Sequence, residues 1–350
     1  MPPLITVAIP AYNRPVELDA LLSSVVPQTD DRTQILVVED ASPRRDEIRR
    51  VVEGWAERST GAHIRFEANE RNLGYDGNIR RCLELAEGEF TMFMGDDDTL
   101  KAGALARLRG VIDKHPNLGV ILRAYEQIDF HTARQIEVFR YFADDRIFPA
   151  GADAIRTFFR RSVSVAGFTV HTRTARQHAT DEFDGTLLYQ LHIAANVLKT
   201  RDGYYISDVL TAMRKNDEQR HFFGSAKAEK GRFAPGALTP EHSVNFMEGM
   251  VRIARAAEER TGLPIFSGIR KDIGNYSYAF LKLHAADRRT FARYVASLAR
   301  LGFADNPLFW CYSAALLAAP APLLDKGIRT LKRVLKSTPR FGALYEGKRV

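Results

Sequence analysis

The order of short apolar runs in the first hundred residues constrains this chain most. Leu4-Ile5-Thr6-Val7-Ala8-Ile9, Ile35-Leu36-Val37-Val38 and Phe90-Thr91-Met92-Phe93-Met94 are apolar almost without a break. That is the pattern of strands buried on both faces, not of strands with one face in water. Helical spacing fills the intervals: Leu18, Leu21, Leu22 and Val25 after the first run, Asp46 to about Arg58 after the second, and Ile79, Cys82, Leu83 and Ala86 before the third. Ile64-Arg65-Phe66 reads as a further, shorter strand. Strands alternating with helices need crossover connections, so the expected architecture is α/β, a mainly parallel sheet covered on both sides.

Ligands of such sheets sit beyond the carboxyl ends of the strands. Three polar loops fall there: Tyr12 to Arg14, Glu39 to Ser42, and Gly95-Asp96-Asp97-Asp98. Three adjacent carboxylates repel one another and need water or a strong counter-charge. An oxygen-only set at a strand end suits Mg²⁺ or Mn²⁺, which share their coordination with substrate phosphates. The triplet reads equally as a solvated acidic turn before the helix that begins near Lys101.

Five motifs in register resemble family 2 glycosyltransferases of the GT-A, Rossmann-like fold. They are Ile9-Pro10-Ala11-Tyr12-Asn13-Arg14, Val37-Val38-Glu39-Asp40-Ala41-Ser42, Asn72-Leu73-Gly74 with Asn78, Ala86-Glu87-Gly88-Glu89, and Gly95-Asp96-Asp97-Asp98. The resemblance covers about residues 1–115 and is strongest to the abequosyltransferase-like group of bacterial O-antigen and polysaccharide assembly. It implies a nucleotide-sugar donor of UDP, GDP, CDP or dTDP type, with Pro10, Ala11 and Tyr12 at the base, Asn13 and Arg14 beside them, Asp40 at the base edge, and Glu39 at the nucleotide site where many members have a second Asp. It further implies Asn72, Gly74 and Asn78 along the nucleotide, Asp96 at the ribose, and Asp97 and Asp98 at Mn²⁺ or Mg²⁺. Gly95 stands where the family has its first Asp.

The second half of the glycosyltransferase region, about 116–236, is expected to hold the acceptor. Many family members carry a Glu-Asp pair on a helix there, and this sequence has none at that spacing. Attack by an acceptor hydroxyl still requires a base. Asp184, placed at a helix start, is the first candidate, then His192, then Asp181, while an N-cap and a packed histidine are the plain alternatives for the first two. Family members often carry a basic or His-bearing loop over the diphosphate near residues 208–233, so the resemblance makes Arg214 and His221 the candidates to face departing phosphate oxygens, a flexible connector being the plain alternative.

Residues 237–350 read as a helical subdomain without a catalytic motif. Within 307–336, an apolar aromatic run interrupted by Pro320 and Pro322 precedes a segment with Leu324, Ile328, Leu331 and Leu335 on one face and five cations elsewhere. That pattern fits either a peripheral anchor on anionic membrane or a helix packed on the domain.

The formal charge of +7 favours anionic partners. The basic residues are spread too widely to indicate nucleic acid. Cys82 and Cys311 argue against a disulfide framework, and residues 1–20 lack the features of a signal peptide. The expected setting is therefore cytoplasmic, at the cytoplasmic face of the inner membrane if the acceptor is a lipid-linked glycan. Two other functions stay open from sequence: a sugar-phosphate nucleotidyltransferase, and a non-catalytic basic adaptor for membrane or nucleic acid.

Overall fold

The computed structural model describes residues 3–59, 61–215, 221–335 and 348–349. β1 (Ile5–Ala11), α1 (Pro15–Val25), β2 (Thr33–Glu39), α2 (Arg45–Arg58), β3 (His63–Ala68), α3 (Gly74–Leu85) and β4 (Phe90–Phe93) follow one another as the apolar runs predict. β1 lies between β2 and β4 and is parallel to both, with Ile5 beside Thr33 and Phe90. Side chains alternate along each strand: Ile5, Val7, Ile9, Ile35 and Val37 join a buried cluster with α1 and α2, while Ala8, Leu36 and Val38 join one with α3. Burial on both faces is why these strands lack polar alternation.

Gly88 belongs to this packing. A Cβ there would sit 2.4 Å from the Thr6 nitrogen, so only glycine lets the turn before β4 lie against β1.

The chain continues through β5 (Thr99–Leu100), α4 (Ala104–Ile112), β6 (Leu118–Asp129), β7 (Gln135–Phe139), β8 (Arg146–Phe148), α5 (Ala152–Phe158), β9 (Phe168–His171), α6 (Thr172–Arg176), α7 (Tyr189–Val197) and β10 (Asp202–Lys215). The sheet order is β8-β10-β6-β9-β4-β1-β2-β3, with β5 on β10, β7 on β6, and Lys348–Arg349 as β11 outside β8. β9 runs antiparallel to both β4 and β6, so the sheet is mixed while its nucleotide-side half, β3-β2-β1-β4, is parallel. This is the GT-A architecture.

Two local expectations change. Residues 208–215 are not part of a loop: they continue β10, with Thr211 opposite Tyr125 and Lys215 opposite Asp129. The helix expected at Asp184 begins at Tyr189, because Gly185 (φ 79°) and Leu187 (φ 63°) are left-handed and a right-handed helix cannot run through them.

α8 (Pro240–Thr261), α9 (Phe266–Asn275), α10 (Tyr278–Leu281), α11 (Arg288–Arg300), α12 (Pro307–Ala318) and α13 (Ala321–Leu335) complete the chain. Their apolar residues join those of α7 and the α3 face of the sheet in one buried cluster. Of the apolar face expected on α13, Leu324 packs on this cluster and Ile328 borders the cavity described below, while Tyr278 and Lys282 bond Asp325. Lys336 lies outside the described residues. No described helix is long and apolar enough to cross a membrane.

The start of α7 is held by a carboxylate from another helix. Asp76, in the first turn of α3 and 1% exposed, accepts the backbone N–H groups of Leu187, Leu188 and Tyr189 at 2.8, 2.8 and 2.9 Å. Those are donors a helix leaves unpaired at its N-terminus. Asp76→Ala strands them in the interior and is expected to cost about 3 kcal/mol of unfolding free energy, read from urea denaturation.

Candidate active site

The three polar loops meet at the carboxyl edge of β1, β2 and β4. β1 ends in Tyr12, whose N–H donates to Asp96 Oδ2 at 2.9 Å. Asn13 turns the loop with φ 63°, a conformation asparagine tolerates. Arg14 then returns over the strand ends, its Nη1 lying 3.0 Å from Asp96 Oδ1 and 3.0 Å from Asp97 Oδ2. One guanidinium thus bridges two neighbouring carboxylates. Burial still pushes Asp96 up to about 6 against the pull of Arg14.

Asp98 is placed differently. It is 8% exposed, borders the cavity, and accepts no hydrogen bond among the described residues. Burial, then repulsion from Asp97, drives it well above the usual carboxylate range, opposed by Arg123. A buried carboxylate beside a second one and without a donor is a cation site in search of charge. Asp97 and Asp98 therefore fit a hard divalent cation. Among the described residues no three Asp, Glu, His or Cys side chains form a ready cage, so such an ion would complete its shell with phosphate oxygens and water.

The β2 loop and the 72–78 segment lock together. Asp40 accepts from Leu73 N–H (2.8 Å), Gly74 N–H (2.9 Å) and Asn69 Nδ2 (2.8 Å), and burial raises it to about 6 against those bonds. Asn78 Nδ2 donates to Val38 O, and Asn72 Oδ1 accepts from Gly74 N–H. Gly74 has φ 78°, and a Cβ on it would meet Glu229 Oε1 at 2.7 Å.

Residues 221–238 fold over this edge. Phe222 stands edge-on to Tyr12 and under Arg14, and Phe223 stands edge-on to Tyr75. Glu229, 3% exposed, fastens the segment by accepting Tyr75 N–H at 2.8 Å and Gly224 N–H at 2.7 Å. His221 Nε2 donates to Ala237 O at 2.9 Å.

The space enclosed is a cavity of about 1070 Å³. Among the sequence-predicted residues, Pro10, Ala11, Tyr12, Arg14, Asp40 and Asn72 line it on the β1–β2 side. Gly74, Asn78, Asp96, Asp97, Asp98, Arg214 and His221 line the rest of that end. Arg214 stacks on Phe130 at 4.1 Å and keeps a buried Nη1 without a partner, as a cation awaiting an anion would. The opposite wall comes from the C-terminal helices, with Phe246 and Met250 from α8, Tyr276 just after α9, Phe280 from α10, Tyr294 from α11 and Tyr312 from α12.

Five predicted residues do not line the cavity. Asn13 only shapes its loop. Glu39 is fully buried and spends its carboxylate on Ala41 N–H, Ser42 N–H and Arg45 Nε, holding a turn in which Ala41 has φ 54°. Asp184 is paired with Arg80, Nη2 to Oδ2 at 2.9 Å, and so is neither a free base nor a helix cap. Asp181 is exposed on the same turn. His192 is 2% exposed; its Nε2 donates to His178 O at 2.7 Å and its Nδ1 faces Asn196 and Arg260 at 3.2 Å. None of the three expected base candidates borders the cavity, and Asp184 and His192 are already bonded to other parts of the fold. Tyr75, Asp76, Phe222 and Glu229 were not singled out from sequence, and the Tyr-Asp pair inside Gly74-Tyr75-Asp76-Gly77-Asn78 was the available signal.

Residues 6–167 match glycosyl transferase family 2. That match covers somewhat less than half of the chain, at its amino-terminal end. The abequosyltransferase RfbV of Salmonella typhimurium is 24% identical over 235 residues, covering 64% of this chain and 70% of that protein. The chain spans about a third of the length of the first curated relatives it matches. Among solved structures, Staphylococcus aureus TarS 1–349 in complex with UDP-GlcNAc superposes with a TM-score of 0.59 at 16% identity, over 85% of this chain and 80% of that one. The mannosyltransferase PcManGT from Pyrobaculum calidifontis in complex with GDP-Man and Mn²⁺ gives 0.53 at 14%, over 91% and 87%. Both likenesses are of fold. The family 2 domain supplies the acidic end of the cavity, and the helices after it supply the aromatic end.

His192 carries a testable titration. Burial, aided by the Arg260 charge, holds its ring at about 4, below the usual 6.5, despite the bond to His178 O. A depressed histidine contributes stability that is fully present above pH 6.5 and is lost as pH falls through 4. The contribution is up to about 3 kcal/mol. His192→Gln should therefore be less stable than the wild type at pH 7.5, with the gap narrowing by pH 4.5 in urea titrations.

Proposed function

We propose that this chain transfers a sugar, a deoxysugar being the choice that the RfbV similarity favours, from a nucleotide-sugar donor to a hydroxyl of a glycan acceptor in bacterial polysaccharide assembly. The observation that carries the proposal is Asp97 and Asp98 at the strand edge, one clamped by Arg14 and the other without a donor, facing a cavity that Tyr12 also lines. Inversion at the anomeric carbon is the family expectation. The family match argues against the nucleotidyltransferase and adaptor readings, since neither accounts for five motifs of one family in register.

Asp97 and Asp98 would hold Mn²⁺ or Mg²⁺, which supplies charge to neutralise a departing diphosphate. The chain's own residues supply the remainder. Tyr12 offers an aromatic face to the base. Asp40 holds the 72–74 backbone where the nucleotide would lie along it. Arg14 fixes Asp96 for the ribose and stops Asp97 from swinging away. Arg214, at the end of β10, brings a cation without a hydrogen-bond partner on Nη1 to the same space, and His221 stands on the segment that covers it. Phe222 and Phe223 exclude water from the donor end, where fixed charges gain strength in a drier medium.

The acceptor we favour is lipid-linked, handled at the cytoplasmic face of a membrane. Leu238 and Leu283 line the cavity while being 59% and 49% exposed, so its rim is apolar. Trp310 (48%), Leu317 (45%) and Leu323 (63%) leave further apolar surface open on α12 and α13.

Titration with UDP, GDP, CDP and dTDP, with and without Mn²⁺, tests the donor half of this reading through thermal stabilisation. One nucleotide should stabilise the chain in a metal-dependent way, and Asp97→Ala or Asp98→Ala should weaken that binding at least tenfold. Metal-independent binding unaffected by both substitutions would remove the reading. Because Asp184 is tied to Arg80, Asp184→Asn should keep nucleotide binding and change the rate of sugar transfer by less than about tenfold, whereas a catalytic base would lose 10²–10⁴-fold.

A further inference from the structure

The cavity wall opposite the carboxylates contains more positive charge than its own carboxylate can balance. Arg160 Nε and Arg161 Nη1 both donate to Asp272 Oδ2, at 2.9 and 3.1 Å. Asp272 is 1% exposed, and the two arginine side chains are 18% and 10% exposed. Two guanidiniums on one buried carboxylate leave a net positive charge in a low-dielectric wall, which is costly without an anion. Arg161 is turned inward, its Nη1 also donating to Thr157 O. Arg160 lines the cavity, with its guanidinium stacked on Tyr276 at 3.8 Å. Its terminal nitrogens Nη1 and Nη2 have no partner among the described residues. Stacking on a ring while bonded through Nε presents that planar fork edge-on, the geometry in which arginine takes a carboxylate or phosphate with two parallel bonds.

We propose that Arg160 is the anion-binding residue of an acceptor subsite, taking a carboxylate or phosphate group carried by the acceptor. The proposal rests on the glycosyl-transfer reading and names the chemistry of the acceptor within it. Position supports the acceptor over the donor. The segment 160–167 ends at Gly167 N–H, which donates to Phe93 O at 2.6 Å beside the acidic loop. Its residues Val163 to Ala166 border the cavity all the way. The wall that starts at the acidic loop thus reaches Arg160 at its far end, on the side built by α9 and not by the loops after β1 and β2. Tyr276 and Tyr141 line the cavity beside it, and aromatic rings of this kind suit the apolar faces of sugar rings.

Saturation-transfer NMR and calorimetry with glucuronate, glucose 6-phosphate and glucose test this on the full chain, at constant ionic strength. At least one of the two anionic sugars should bind tenfold or more tightly than glucose, and the stronger of them identifies the anion. Arg160→Gln should abolish that preference, and Arg160→Lys should restore part of it. Bound UDP with Mn²⁺ should leave the preference intact. Equal affinity for all three sugars, a preference that survives Arg160→Gln, or displacement of the anionic sugar by UDP would each overturn the subsite. The wild-type comparison decides the matter even if a variant fails to fold. Nucleotide binding measured in parallel separates the two readings: its absence in the wild type counts against glycosyl transfer, while loss of the sugar preference alone counts against Arg160.

Discussion

The site depends on how acidic side chains are kept together at the end of a buried strand. Asp96, Asp97 and Asp98 follow β4 with no residue between them, and mutual repulsion alone would drive the loop open or protonate it. Arg14 counters two of the three from the neighbouring strand, and the Tyr12 N–H adds a fixed dipole to Asp96. Because Arg14 and Tyr12 sit one turn beyond β1, the parallel pairing of β1 with β4 determines whether the clamp can form. Asp98 keeps its charge deficit, aimed at the cavity. The strain of an unmatched carboxylate is thereby concentrated at the position where a cation would relieve it.

Elsewhere in the molecule carboxylates act as fasteners. Glu39 holds its own turn, Asp40 holds residues 73 and 74, Asp76 holds the start of α7, and Glu229 holds the covering segment to α3. Each accepts backbone N–H groups that would otherwise be buried without partners, and such bonds to a charged acceptor are stronger than neutral ones. α3 is the hub of this arrangement. Its first turn gives Gly74 N–H to Asp40, Tyr75 N–H to Glu229 and the Asp76 carboxylate to α7. The nucleotide loop, the covering segment and the acceptor-side helix are consequently registered against one helical turn.

The parallel half of the sheet was legible because burial on both faces writes itself as uninterrupted apolar sequence in β1, β2 and β4. That the loops after these strands meet at one end of the cavity was legible for a related reason: they follow the strands directly, so strand positions place them. The bonding of the two leading base candidates was not legible. Asp184 and His192 have the chemistry of a base, but Arg80 lies 104 residues from Asp184, and Arg260 lies 68 from His192. Nothing local to either residue shows that it is already bonded. Glu229 was missed for the same reason, since its partner Tyr75 is 154 residues away. The left-handed residues Gly185 and Leu187, which delay α7, show the limit from the other direction, because leucine gives no local signal of a positive φ.

The helical third also looked silent, because amphipathic spacing reports which face is buried and not what that face encloses. Met247, Met250, Ile273 and Tyr294 fall at helical spacing, and they are nearly inaccessible to solvent. They nevertheless border the cavity. A side chain can be inaccessible from outside and still form the wall of an internal space, so the same apolar stripe serves packing and binding at once. This is why the family motifs stop near residue 115 while the site does not: the acidic end requires specific groups at fixed loop positions, whereas the aromatic end requires only bulk, shape and, at Arg160, one charge left open. Bulk and shape can be met by many apolar and aromatic residues, so the second kind of surface leaves no short motif to read in the sequence.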